Sequence, residues 1–525
     1  MIAMLWSSVI FALLARARCL YFTKHPLASK LGKIQLSHPG IRNAGVLEII
    51  PSMRRHFQHT KITFTLGPAT ESEEMLEKMI RAGVDLCRLN MAHANHEWTR
   101  ASIRRIKVVC GRVGRHIAIM MDVKGPEIRT GDLPAPIPLQ VGQTLDFVTE
   151  PGASLGDGVP CVGVNYRDFP RDVAVGKTVL VDSGLIRLEV LETHAARVRC
   201  RVTVPGNLTS RRHLNLPGAK INLPAVTQKD RADIEVGIEE GVDFFALSFV
   251  REANDIDLLR RFLTDHKSTA RIIAKIEDQS AIENLDEIIA ASDGLMVARG
   301  DLGIECPFED LPIIQHRAVQ QCIIHRKPVI VATHMLESMI TSPVPTRAEV
   351  SDIATAVREQ ADCIMLSGET TSGKYPLECV DTMKRIAARI EAEGDMPPSP
   401  ELPLKTHKDK LLRAAARLAQ EDHHAGIVVF TRNGNLPAVL SALRPRHCPI
   451  YAFTDVDRVF RQLLLHWGVE PFLMEFSKDY EQTILDAFAY LKRSQWIEAK
   501  DWVVVVTNVI MGEKLIDTIQ LREVE

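Results

Sequence analysis

The chain has 525 residues, 46% of them apolar and 25% charged, with a formal net charge of −2, enough to bury a large core and fill two or three domains. Near-neutral charge excludes a general nucleic-acid binder, which carries a basic excess or stripe. The ten cysteines show no CxxC pair and no zinc-type Cys/His spacing, so they read as reduced thiols in a cytosol-like compartment.

Residues 1–52 read as an extension outside the core. They carry no acidic residue before Glu48, contain Arg16, Arg18, Lys24, Lys30, Lys33 and Arg42, and open with the apolar stretch Ile2 to Ala15. That stretch is short for a membrane span, and its charges follow it instead of preceding it as in a secretory signal. Two readings stay open: an organelle transit segment, or sequence upstream of a start at Met53. The second is favoured and predicts a cytoplasmic protein, with an organelle as the alternative.

From Lys61 onward strand-like apolar runs recur, at KITFTLG (61–67), DLCRLNMA (85–92), HIAIMMDV (116–123), FFALSFV (244–250), RIIAKIE (271–277), GLMVARGD (294–301), PVIVATHM (328–335) and CIMLSGET (363–370). Amphipathic stretches such as ESEEMLEKMIRAG (71–83) and SAIENLDEIIAAS (280–292) lie between most of them. Eight strands alternating with helices predict a (β/α)8 barrel, with parts at 53–131 and 215–396. Residues 132–214 interrupt the alternation with short Val/Thr-rich runs and no convincing helix, which predicts an inserted all-β lid domain. After MPPSPELP, helical and strand-like segments alternate again, so 397–525 reads as a C-terminal α/β domain with a mainly parallel sheet.

Active sites of such barrels sit at the C-terminal ends of the strands. Seven of the eight runs end in polar candidates: Arg88 and Asn90; Asp122 and Lys124; Ser248; Lys275 and Glu277; Arg299 and Asp301; Thr333; Ser367 and Glu369. Any one of them suits a solvated strand end or a helix cap, but their joint recurrence favours a site. Glu277 and Asp301 are hard oxygen donors suited to Mg²⁺. Lys275, Arg129 and Arg88 supply positive charge for a phosphorylated anion. Metal plus cations around an anion fits phosphoryl transfer or enolate stabilisation, and the residue types alone do not choose between them.

The segments KITFTLGPAT, RLNMAHANHE, MDVKGPEIRTG, NLPGAKINLPAVTQKD, AKIED, DGLMVARGDLGIE, ATHMLESM, PTRAEVSDIATAV and ADCIMLSGETTSGKYPLE resemble, in order, the signatures of the pyruvate kinase family. The resemblance is dense over residues 61–393 and weaker through the C-terminal domain. It implies phosphoryl transfer from phosphoenolpyruvate to ADP, giving pyruvate and ATP, with Mg²⁺ and K⁺, no nucleic-acid or membrane partner, and a homotetramer. By the same resemblance, Glu277 and Asp301 match the Mg²⁺ ligands, and Arg299, Gly300 and Asp301 the loop that receives the substrate carboxylate. Lys275 matches the lysine that stabilises the phosphoryl group and the enolate, and Thr333 the threonine near the carbon that becomes the methyl group. Arg88 and Arg129 match phosphate-clamping residues, and Lys229 a residue near the cleft. Asn90, Asp122 and the Val123 carbonyl match the K⁺ site.

Two positions depart from the family pattern: His334 replaces the usual glutamine and Ala92 the usual serine. Glu127 matches the type found in potassium-dependent members. The loops TRNGN (431–435) and NVIMGEKLIDTIQ (508–520) have few of the hydroxyls and glycines that serve a sugar-phosphate effector elsewhere in the family, so little activation by fructose 1,6-bisphosphate is expected. A catalytically impaired regulatory paralogue and a Mg²⁺-dependent carbon–carbon lyase of the related pyruvate/enolate barrels stand as the alternative functions.

Overall fold

A computed structural model describes residues 57–150, 158–393, 397–421, 425–511 and 514–525; the expectations for residues 1–52 lie outside these. Eight parallel strands close into a barrel in the order one, eight, seven, six, five, four, three, two. They are Lys61–Thr65, Leu86–Asn90, Ala118–Val123, Phe244–Leu247, Arg271–Ile276, Gly294–Ala298, Val329–Ala332 and Cys363–Leu366. Each of the eight runs read from the sequence holds one strand, but several strands end sooner than the apolar pattern suggests. The seventh stops at Ala332 because Thr333 and His334 both turn left-handed, with φ of 66° and 55°. The sixth stops at Ala298 because Arg299–Glu305 is already a helix.

Between strands one and two, Ser72 caps the helix Glu73–Ala82 and Gly83 ends it at φ 100°, a backbone conformation that glycine adopts without steric cost. The stretch 280–292, expected as one helix, is two, Gln279–Glu283 and Leu285–Ala291, broken at Asn284.

The base of the barrel has its own regular chemistry. Asp85, Asp243, Asp293 and Asp362 stand immediately before strands two, four, six and eight. Each accepts the backbone N–H of the preceding odd strand: Ile62 at 2.9 Å, Ile119 at 2.9 Å, Ile272 at 2.8 Å and Val329 at 3.1 Å. Each also pairs with one arginine, respectively Arg115, Arg461, Arg260 and Arg444, at 2.8 to 3.1 Å.

The insertion forms a six-stranded sheet, with strands Thr144–Val148, Ile186–His194 and Arg197–Val204 at its centre, and a small two-stranded sheet. It has its own apolar core, including Leu145, Phe147, Leu188, Val198 and Val202. One helical turn, Phe169–Asp172, is present where no helix was expected; Pro170 in its first turn suits a helix start.

The C-terminal sheet has five strands, the first four parallel and Lys514–Glu523 antiparallel to Trp502–Met511. The strand Val469–Leu473 and the final hairpin are absent from the sequence reading. Nor does this layer stand apart from the barrel. Leu464 and Leu465 join the cluster that fills the barrel interior, and two of the four basal arginines, Arg444 and Arg461, come from it. Among the described residues no helix is long and apolar enough to cross a membrane.

Candidate active site

The polar strand ends converge at the C-terminal mouth of the barrel. Lys275, on strand five, is buried, with its ammonium 2.7 Å from Ser248 Oγ, 3.1 Å from Asp122 Oδ1 and 2.9 Å from Glu277 Oε1. Arg88, on strand two, donates to Asp122 Oδ2 at 2.6 Å and to Thr65 Oγ1 at 3.3 Å. Strands one to five therefore carry one continuous network.

Its electrostatics follow from burial. Burial works against the ionised form of Asp122, but Arg88 and Lys275 hold its carboxyl below the usual carboxylate range. Burial likewise opposes the charged form of Lys275, and Asp122 and Glu277 override it, so the lysine stays an ammonium. Glu277 moves the other way. Burial pushes its carboxyl up, and Asp301 and Asp122 add to that against the pull of Lys275.

On the opposite side Thr333 Oγ1 donates to the Ala332 carbonyl at 2.6 Å and accepts the Gly300 amide at 2.7 Å. A β-branched residue at positive φ is a genuine outlier and needs a support. The support is Arg299, whose guanidinium donates to the carbonyls of Ala332 at 3.2 Å and Thr333 at 2.6 Å, and to Asp352 Oδ1 at 2.6 Å. The Arg299 side chain thus holds the strained turn. Phe249, also at positive φ (55°), aims its amide at Glu277 Oε2 at 2.7 Å.

Other expected residues are placed as follows. Arg129 lies at the lid entrance, donating to Glu127 Oε2 at 2.6 Å and to the Arg211 carbonyl at 2.8 Å, apart from the Arg88–Lys275 network. Lys229 reaches the Met91 carbonyl at 3.0 Å and Asp233 at 2.6 Å, at the edge of strand two. In the expected K⁺ set, Asn90 Oδ1 accepts from the Ala92 amide at 3.1 Å and the Val123 carbonyl from Ser248 Oγ at 2.8 Å. Glu369 is structural: it is buried and accepts the amides of Leu336 at 3.0 Å and Ser367 at 2.7 Å. Asp352, Phe249 and Gln315, which also meets Arg299, went unnoticed in the sequence. Only Asp352 had a signal, its place within PTRAEVSD.

Residues 57–380 match the family model described as pyruvate kinase, barrel domain, and residues 409–521 match pyruvate kinase, alpha/beta domain. The chain belongs to the pyruvate kinase family. Plastidial pyruvate kinase 2 of Arabidopsis thaliana is 43% identical to it over 481 residues, covering 90% of this chain and 82% of that one. A pyruvate kinase of Staphylococcus epidermidis is 39% identical over 463 residues, covering 87% and 78%. The crystal structure of a pyruvate kinase from Cryptosporidium parvum matches with a TM-score of 0.82 at 34% identity, over 89% of this chain and 96% of that one. Pyruvate kinases are phosphotransferases that generally use Mg²⁺ and K⁺.

The donor set at the mouth fits such a metal. Glu277 and Asp301 end neighbouring strands, and three carboxylates, Asp122, Glu277 and Asp301, face two cations, Arg88 and Lys275. Crowding of Glu277 by Asp301 and Asp122, which helps push its carboxyl up, is what a divalent cation would relieve. Among the described residues no three His, Cys, Asp or Glu side chains form a complete metal cage. Mg²⁺ keeps waters and takes one or two carboxylates plus substrate oxygens, a demand that Glu277 and Asp301 alone can meet.

Proposed function

We propose that this chain transfers the phosphoryl group of phosphoenolpyruvate to ADP at the C-terminal mouth of the barrel, forming pyruvate and ATP. The buried Lys275 ammonium, fixed at 2.7 to 3.1 Å by Ser248, Asp122 and Glu277, is the observation that carries this reading. In the reaction the bond between phosphorus and the enol oxygen breaks and a bond from phosphorus to a β-phosphate oxygen of ADP forms. The enolate left behind takes a proton at its methylene carbon. Glu277 and Asp301 would hold Mg²⁺, which when bound supplies Lewis-acid charge to the enolate and carboxylate oxygens.

Lys275 and Arg88 place fixed positive charge where the phosphoryl oxygens and the enolate develop negative charge, and being held in advance they need no reorganisation. Thr333, held in its strained turn with its hydroxyl against the Gly300 amide, would stand near the methylene carbon. Asn90, Asp122 and the Val123 carbonyl would hold K⁺, with Ala92 withholding a fourth ligand. The lid, 132–214, would close over the cleft about hinges near Gly131 and Pro217 and exclude water that would otherwise take the phosphoryl group.

The test is formation of ATP from phosphoenolpyruvate and ADP by the purified chain, with and without Mg²⁺ and K⁺. No ATP from a folded, metal-supplemented protein overturns the reading.

We also infer a homotetramer from the family, which light scattering would check. The similarity to a plastidial enzyme supports the transit-segment reading of residues 1–52, so an organelle is favoured over the cytoplasm. Residues 1–52 fused to a fluorescent protein should then direct it to that organelle, and a diffuse cytoplasmic signal would count against the reading.

A further inference from the structure

Behind the two candidate metal carboxylates, three polar side chains join them to the lid. Glu305 ends the seven-residue helix in which Asp301 is the third residue, and it is 8% exposed. Its Oε1 accepts a hydrogen bond from Asn215 Nδ2 at 2.8 Å. Asn215 lies on the last lid strand, two residues before Pro217. The Glu305 carbonyl accepts from Gln279 Nε2 at 2.6 Å, and Gln279 comes two residues after Glu277. Gln279 Oε1 also packs against the hinge at Gly218, where an added Cβ would lie 3.3 Å from it.

Packing alone does not account for this arrangement. Asn215 Oδ1 is buried with no hydrogen-bond partner, and burial sets Glu305 against ionisation. An apolar pair of the same shape avoids both costs, so an amide facing a carboxylate is retained for what it connects.

We propose that Asn215, Gln279 and Glu305 are positioning residues that tie the lid hinge to Glu277 and Asp301, so that lid closure and alignment of the metal carboxylates are one movement. The inference rests on the phosphoryl-transfer reading above. It assigns these three residues no contact with substrate.

Assayed at pH about 9, above the raised Glu305 value, Asn215→Asp keeps the shape and sets a second carboxylate against Glu305, which breaks the link. Hydrolysis of phosphoenolpyruvate relative to transfer to ADP should then rise by about tenfold, and kcat should fall more than KM rises. Combining Asn215→Asp with Glu305→Gln restores a donor facing an acceptor in the opposite sense, and should return the ratio to within about threefold of the parent. A role in stability alone would move the unfolding midpoint and leave this ratio in place.

A folded Asn215→Asp protein with the parental ratio, or a double variant without recovery, overturns the proposal. If Asn215→Asp does not fold, Asn215→Ala withdraws the donor without adding charge and is scored in the same way. If the parent itself forms no ATP, the functional reading fails first. The connector is then judged by Mn²⁺ affinity measured by electron paramagnetic resonance: weakening in Asn215→Asp with recovery in the double variant supports it, and unchanged affinity ends it.

Discussion

The two ends of the barrel use the same residue types to opposite ends. At the base, four aspartates each pair with one arginine and accept at least one backbone amide, Asp362 accepting two, although burial still pushes the Asp243 carboxyl up against Arg461. At the mouth, Asp122, Glu277 and Asp301 outnumber Arg88 and Lys275, and Glu277 is pushed up by burial and its acidic neighbours. A buried carboxylate is thus structural or functional according to whether its complement is complete. Satisfied pairs set geometry and stability, whereas an unbalanced cluster invites a cation and the anion that comes with it.

The largest effect is expected at the mouth. Lys275→Met should lower phosphoryl transfer by about 10³-fold or more, because it removes a preorganised charge from the transition state, while nucleotide binding survives. Near-parental turnover would refute its role.

At the base the effect should fall on stability. Asp362→Ala leaves Arg444, buried at 2% side-chain exposure, without its carboxylate and with only neutral oxygens of Ser441 and Gln360, at a cost of about 3–5 kcal/mol in denaturant unfolding. The kcat of the folded fraction should stay at the parental level. Parental stability, or a selective loss of kcat, would erase the distinction between the two ends.

Glu305 sharpens the contrast through pH. Burial first, against the Asn215 hydrogen bond, pushes its carboxyl up from 4.5 to about 7. A raised folded-state value means that its stabilising contribution is present in acid, below the unfolded value, and is lost as pH rises through about 7. Glu305→Gln does not titrate. The stability of the parent relative to this variant should therefore fall by up to about 3 kcal/mol between pH 4.5 and pH 8, read from urea unfolding at each pH. A difference independent of pH would show that Glu305 is not held in this way.

The smallest expected effect is at the K⁺ site. Ala92→Ser returns a hydroxyl ligand and should move the K⁺ activation midpoint to lower concentration by up to about tenfold, the scale of roughly 1.4 kcal/mol. Full activity of the parent in K⁺-free buffer holding only a bulky organic cation would remove the site from the account.

The sequence by itself makes the barrel legible, because most of the barrel's strands are buried on both faces and several read as continuous apolar runs, such as GLMVA and VIVA. It also determined which chemical groups end those runs, and so the carboxylate, lysine and arginine set of the mouth. The strand Val469–Leu473 escaped notice because Glu470 and Pro471 interrupt its apolar pattern. Tertiary structure alone decided the rest. Thr333 and Phe249 turn left-handed through contacts with residues elsewhere in the chain, against their local preference. The Arg299 side chain became a brace for the turn because Asp352, 53 residues away, receives its guanidinium. An aspartate before a strand reads locally as a turn residue, so Asp243 and Asp362 gave no sign of their arginines, which lie 218 and 82 residues further along the chain. Periodicity is written in neighbouring residues. Charge complementarity in a closed barrel is settled between residues that meet only after the chain has folded.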